Sequence, residues 1–86
     1  MAENEPSNTP TFFLSESAVE IRLRNQDSLR IFWRSHSPLM IVRARPTRAD
    51  PVYEIQLAWD LGDRLETFSW LWIDAISGRV MKQFPD

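Results

Sequence analysis

The feature that most constrains this 86-residue chain is a pair of alternating apolar segments on either side of a glycine turn. Val52 to Trp59 (VYEIQLAW) puts Tyr53, Ile55, Leu57 and Trp59 on one side, and Thr67 to Ile73 (TFSWLWI) does the same with Phe68, Trp70 and Trp72. A period of two is the signature of a half-buried strand. Between them Gly62-Asp63 suits a two-residue turn of type II′, which wants Gly first. Closing that turn pairs Leu61 with Arg64, and then Leu57 with Phe68, Ile55 with Trp70 and Tyr53 with Trp72. The expectation is a hairpin over 52–59 and 67–73 whose six paired residues form one aromatic core face. Asp74 to Gly78 (DAISG) reads as the next turn, with the Asp carboxylate capping the following amides and Gly78 at positive φ. Arg79 to Phe84 then returns as a strand, giving a second hairpin over 67–73 and 79–84.

Upstream, Leu39 to Arg45 (LMIVRAR) is β-rich and stops at Pro46, and Pro46 to Pro51 is a loop bounded by two prolines. Val19 to Arg24 (VEIRLR) alternates strictly, with Val19, Ile21 and Leu23 opposite Glu20, Arg22 and Arg24, and Ser28 to Arg34 repeats the pattern with Leu29, Ile31 and Trp33. Two strands around the turn at Asn25 to Asp27 are therefore expected. A helix over about 17–33 is the alternative, capped by Ser15 or Ser17, with Ala18, Ile21, Asn25, Leu29 and Phe32 in its stripe. The fold class is accordingly a small, β-rich single domain built on an antiparallel sheet, α+β if 17–33 is helical. Residues 1–11 (MAENEPSNTPT) have the composition of an unstructured acidic tail, and 12–86 are the domain. Phe12, Phe13 and Leu14 are read as a first strand or as cover for a core edge.

Such a length makes one domain, and four Trp and five Phe compensate for a small core because aromatic rings bury the most area. Cysteine is absent, which excludes disulfides and thiolate metal sites and suits a reducing compartment. No apolar leader and no run of 18 apolar residues is present, so a cytoplasmic protein without a membrane role is expected. The net charge of −2 conceals an asymmetry. Residues 18–49 carry seven Arg against Glu20 and Asp27, a balance of +5, whereas residues 50–86 stand at −4. That pattern permits an anionic partner, and equally a homodimer or a fold in which the halves face each other.

The segment from about Leu39 to Lys82 resembles the PepSY domain family. Val52-Tyr53-Glu54-Ile55-Gln56 is similar to that family's hairpin strand, and Trp72-Ile73-Asp74-Ala75-Ile76-Ser77-Gly78-Arg79-Val80-Met81 to its closing aromatic strand and D-x-x-x-G turn. The resemblance implies an antiparallel sheet with a helix across it, and a noncatalytic role as an inhibitor, chaperone or other protein-binding element.

Chemistry-bearing constellations are sparse. His36 is the only His, and Asp27 and Asp50, the nearest acids in sequence, are far from it, so no metal site is expected. Ser35-His36-Ser37 juxtaposes hydroxyls and an imidazole on an extended segment where neighbours point apart. Asp60 and Asp63 flank a turn, where Asp serves the backbone. Two glycines, Gly62 and Gly78, cannot build a phosphate loop. Neither a catalytic residue nor a cofactor is expected. The first functional expectation is a protein-binding module, an adaptor, inhibitor or accessory subunit, with Trp33, Trp59, Phe32 or Phe84 as rim aromatics and Arg43 and Arg45 beside them. The alternative is nucleic-acid binding, with Arg22, Arg24, Arg43 and Arg45 alternating on two strands to line one face and Phe32 or Trp33 stacking a base. The acidic pI of 5.3 opposes it.

Overall fold

A computed structural model describes residues 12–85. The tail expected at 1–11 lies outside them. Helix α1 (Glu16–Arg24) leads into a 3-10 turn (Asp27–Leu29) and a short helix α2 (Arg30–Arg34). Four strands follow, β1 (Pro38–Ala44), β2 (Val52–Asp60), β3 (Leu65–Asp74) and β4 (Val80–Phe84). They form one antiparallel sheet in the order β1-β2-β3-β4, so the sheet is a meander in which each strand pairs with its neighbour in sequence. The chain is a small α+β domain.

Helix, not strand, is the outcome for residues 16–34, and local chemistry explains it. The Ser15 hydroxyl accepts the Ala18 N–H at 3.1 Å, an N-cap. Glu16 sits in the first turn of α1, and Arg22 and Arg24 in its last, which complements the helix dipole. An ion pair from Arg24 to Glu20 at 2.8 Å spans one turn. Val19 and Leu23 are four residues apart, so they share a face under a helical period as well as under a strand period. Ile21 belongs to the apolar set of the strand reading and to the stripe of the helix reading alike, yet in α1 it is 59% exposed and Val19 and Leu23 are buried instead. The helix expected over 17–33 is also broken after Arg24, before the 3-10 turn. The buried stripe continues through Leu29 and Phe32, and Ile31 turns to solvent.

Both helical segments lie on one face of the sheet. Val19, Leu23, Leu29 and Phe32 pack there against Tyr53, Ile55 and Leu57 of β2, Leu71 and Ile73 of β3, and Ala75. Phe32 stacks obliquely on Trp59 and Phe68, with ring centroids 5.7 and 5.2 Å away. The segment before α1 is pinned across the core edge. Leu14 donates its N–H to the Ala75 carbonyl at 2.8 Å, and the Tyr53 hydroxyl donates to the Leu14 carbonyl at 2.7 Å. Leu14 thus covers the core edge without forming a strand.

The β2–β3 hairpin forms, but its register changes part-way along. Next to the turn it runs as expected, with Leu61 donating to the Arg64 carbonyl at 2.9 Å and Asp60 opposite Leu65, Trp59 opposite Glu66 and Ala58 opposite Thr67. A β-bulge at Phe68 then inserts one residue, and Leu57 faces Ser69, Ile55 faces Leu71 and Tyr53 faces Ile73. The expected pairs Leu57–Phe68, Ile55–Trp70 and Tyr53–Trp72 are therefore not made. One inserted residue reverses the facing of everything beyond it, because side chains alternate with a period of two. Phe68 still reaches the core, but Leu71 and Ile73 replace Trp70 and Trp72 beneath the helices. Two further bulges interrupt β1 between Val42 and Ala44 and the β3–β4 ladder between Trp72 and Ile73.

The turns behave as their residues require. Gly62 has φ of 93°, and the Asp60 carboxylate accepts its N–H at 2.9 Å. Asp74 accepts the N–H groups of Ile76 and Ser77 at 2.8 and 3.0 Å, and Gly78 has φ of 80°. Those two amide bonds hold the Asp74 carboxyl below the ordinary range.

Candidate functional site

The bulge at Phe68 has a consequence on the side of the sheet away from the helices. Residues that face Gln56 and Glu54 of β2 must lie on that second face, and these are Trp70 and Trp72. On β1, Leu39 lies opposite Ala58 and Ile41 opposite Gln56, which places both on the same face. On β4, Phe84 faces Trp70 and Lys82 faces Trp72. The second face is therefore crossed by an aromatic and aliphatic patch of Leu39, Ile41, Trp70, Trp72 and Phe84. Among the described residues no helix packs over it, since both helical segments lie on the other side. Phe84 is 63% exposed, and the two tryptophans are partly buried by their own neighbours.

Polar groups frame this patch. Gln56 is nearly buried at its centre and donates its side-chain N–H to the Thr67 hydroxyl at 2.7 Å. The Lys82 ammonium lies 5.2 Å from the centroid of the Trp72 ring, within cation–π range. Glu54 flanks Trp72 from the opposite strand. Aromatic side chains, a hydrogen-bonded amide and a few charges at the edge are the ingredients of a protein-contact surface: an apolar centre enriched in Trp with a polar border.

Of the residues expected to meet a partner, Phe84 lies on this patch and the others lie elsewhere. Phe32 has no exposed surface, so its place as a contact residue is corrected: it is the core ring that α2 turns toward the sheet. Trp33 and Trp59 are partly buried on the helix-covered side. The Trp33 indole N–H donates to the Leu23 carbonyl at 3.1 Å, and the Arg24 guanidinium lies 4.1 Å from its ring centroid. The Trp59 indole N–H is directed at the Phe32 carbonyl at 3.5 Å. Both indoles thus serve the junction of helix and sheet. Arg43 is exposed at the bulge of β1, and Arg45 just beyond it pairs with Glu16 at 2.7 Å.

The basic face expected from two neighbouring strands is likewise corrected. Arg22 and Arg24 are on α1, so they do not alternate beside Arg43 and Arg45. Arg24 pairs with Glu20 and Arg30 with Asp27, at 2.8 and 2.7 Å, and the Arg22 side chain lies against Gly78. Much of the basic segment is spent on contacts within the fold.

A cleft of about 460 Å³ opens where α2 joins β1 and the β2–β3 turn, lined by His36, Ser37, Asp60, Leu61 and Gly62. Ser37 has φ of 59°, a conformation held by the Asp60 N–H, which donates to its carbonyl at 3.0 Å. The Asp60 carboxylate accepts the turn amide of Gly62 at 2.9 Å. Among the described residues no group of three or more His, Cys, Asp or Glu side chains gathers to hold a metal ion, and no helix is long and apolar enough to cross a membrane.

Sequence reasoning missed Trp70 and Trp72 as surface residues because it placed them inside. A signal was present in TFSWLWI, which carries apolar residues at both parities, Trp70 and Trp72 at one and Leu71 and Ile73 at the other. A strand apolar on both faces has something to bury on each. No protein-family model, curated protein or solved structure matches the chain.

Proposed function

We propose that this chain is a noncatalytic protein-binding module whose contact surface is the uncovered face of the sheet, centred on Trp70 and Trp72. The observation that carries this reading is that two tryptophans project from the face opposite both helices, beside Ile41 and Phe84. Large apolar groups gathered on an uncovered face mark interaction sites. The PepSY resemblance implies a role of the same kind, as an inhibitor or chaperone of another protein. The self-engaged arginines and acidic pI weigh against a polyanion as the partner.

The test is affinity capture with the immobilised chain, comparing the parent with Trp72→Glu, Ile41→Glu and the pair Arg43→Glu with Arg45→Glu. Proteins retained by the parent are expected to be lost with Trp72→Glu and Ile41→Glu, kept by the Arg pair, and changed only modestly by salt. Retention of nucleic acid that disappears with the Arg pair and falls steeply with salt would overturn the reading.

A further inference from the structure

We infer that the occupant of the uncovered face is a second copy of this chain, docked about a two-fold axis that runs along β3. This rests on the reading of that face as a contact surface. Register places Glu54, Trp72 and Lys82 in one row across three adjacent strands, with the acid on β2 and the base on β4. Strands lie about 4.8 Å apart, so the two charges stand on the order of 10 Å from each other on either side of the ring. That is too far for an ion pair within the chain, and among the described residues neither charge belongs to one.

A half-turn about an axis parallel to β3, midway between two stacked sheets, sets β3 over β3 and exchanges the positions of β2 and β4. Glu54 then faces Lys82 of the partner subunit, and Lys82 faces Glu54 of the partner subunit. Trp72 meets Trp72 of the partner subunit at the centre. The neighbouring row of Gln56, Trp70 and Phe84 obeys the same symmetry, and Phe84 lies over Gln56 of the partner subunit. An isologous contact demands this kind of self-complementarity, in which residue i meets j and j meets i. Face-to-face sheets stack about 10 Å apart with their strands within about 30° of alignment, and charges one strand from the axis are displaced little by that rotation. The chemistry selects a second copy over a partner of one sign: a uniformly acidic or basic surface would meet one like charge beside Trp72. The three strands that overlap, β2, β3 and β4, of five to ten residues each, make a face of several hundred Å², with β1 of each subunit lying beyond the partner's edge. That is near the low end for stable association, which sets the expected dissociation constant in the micromolar range.

Sedimentation equilibrium of the full chain between about 1 and 500 µM reads this directly, with circular dichroism verifying that each variant is folded. The parent is expected to dimerise. Glu54→Lys and Lys82→Glu each set like charges against one another twice, and each is expected to weaken the dimer by about tenfold or more. An equimolar mixture of the two single variants restores both ion pairs and is expected to dimerise again, as is the chain carrying both substitutions. A dimer unaffected by either substitution, or single variants that do not complement on mixing, would overturn the axis and its contacts. A parent that stays monomeric throughout would overturn the second copy as occupant. That result would leave the uncovered face as a contact surface, a reading that fails separately if Trp72→Glu retains every protein the parent captures.

Discussion

Replacing Leu71 and Trp70 in turn by Lys distinguishes the bulged register from the uninterrupted one. Leu71 is fully buried beneath the helices, opposite Ile55. Leu71→Lys forfeits about 2 kcal/mol of burial and forces an ammonium into a core with no acid beside it, an effective penalty of several kcal/mol more. The sum is about 5 kcal/mol or above, against a total stability of about 4 to 13 kcal/mol for a chain of 86 residues. Trp70, on the other face, lies opposite Gln56 and Phe84. There a Lys stem lies along the apolar patch with its head in water, and the loss is confined to ring packing, about 2 kcal/mol. Urea denaturation followed by far-ultraviolet circular dichroism measures both. The expected outcome is that Leu71→Lys is unfolded or nearly so in buffer, while Trp70→Lys retains a cooperative transition at a lower midpoint. An uninterrupted ladder reverses the order, because it buries Trp70 and exposes Leu71. Trp70→Lys unfolding while Leu71→Lys melts cooperatively would refute the bulge and the uncovered aromatic face with it.

The two glycine turns are expected to respond alike. Gly62→Ala costs about 1 to 2 kcal/mol for positive φ alone, since a Cβ there meets nothing within 4 Å. Gly78→Ala is expected to cost about the same for its own positive φ, because the Arg22 atoms its Cβ would meet at 2.6 Å are the outer end of an exposed, flexible side chain that can move aside, and adding Arg22→Ala should change the urea midpoint little further. Tyr53→Phe removes the hydroxyl donated to Leu14 and is expected to lower stability by about 1 kcal/mol. Burial, followed by the nearby Glu16 carboxylate, raises the Tyr53 phenol above its ordinary 10.0. Its contribution is thus complete below pH 10 and lost as pH rises through the higher folded value; urea midpoints taken from pH 9 to 12 should fall for the parent and flatten for Tyr53→Phe. Asp74 has the opposite sign. Its lowered pKa contributes stability above 3.8 that disappears as pH falls through the folded value, and Asp74→Asn should flatten the acid limb of the same titration.

What the sequence determined by itself is local. The Gly62 turn, the Asp74 cap, the positive φ of Gly78 and the three-strand order of the two hairpins follow from residues close together in the chain, whose backbone preferences act before any distant contact forms. The tertiary structure decided three things. It settled the helix at Val19 to Arg24, where the apolar positions fit two periods, by packing Val19 and Leu23 over the sheet in concert with the local Ser15 cap and Glu20–Arg24 pair. It placed a bulge at Phe68, where a ring filling the space beside Phe32 and Trp59 accompanies the loss of regular alternation. It also set both helices on one side of the sheet. That choice, combined with the bulge, moved Trp70 and Trp72 from the expected core to an uncovered face. Alternation sorts a strand's residues into two sets, but which set is covered depends on where other elements pack and on every inserted residue between the turn and the point in question.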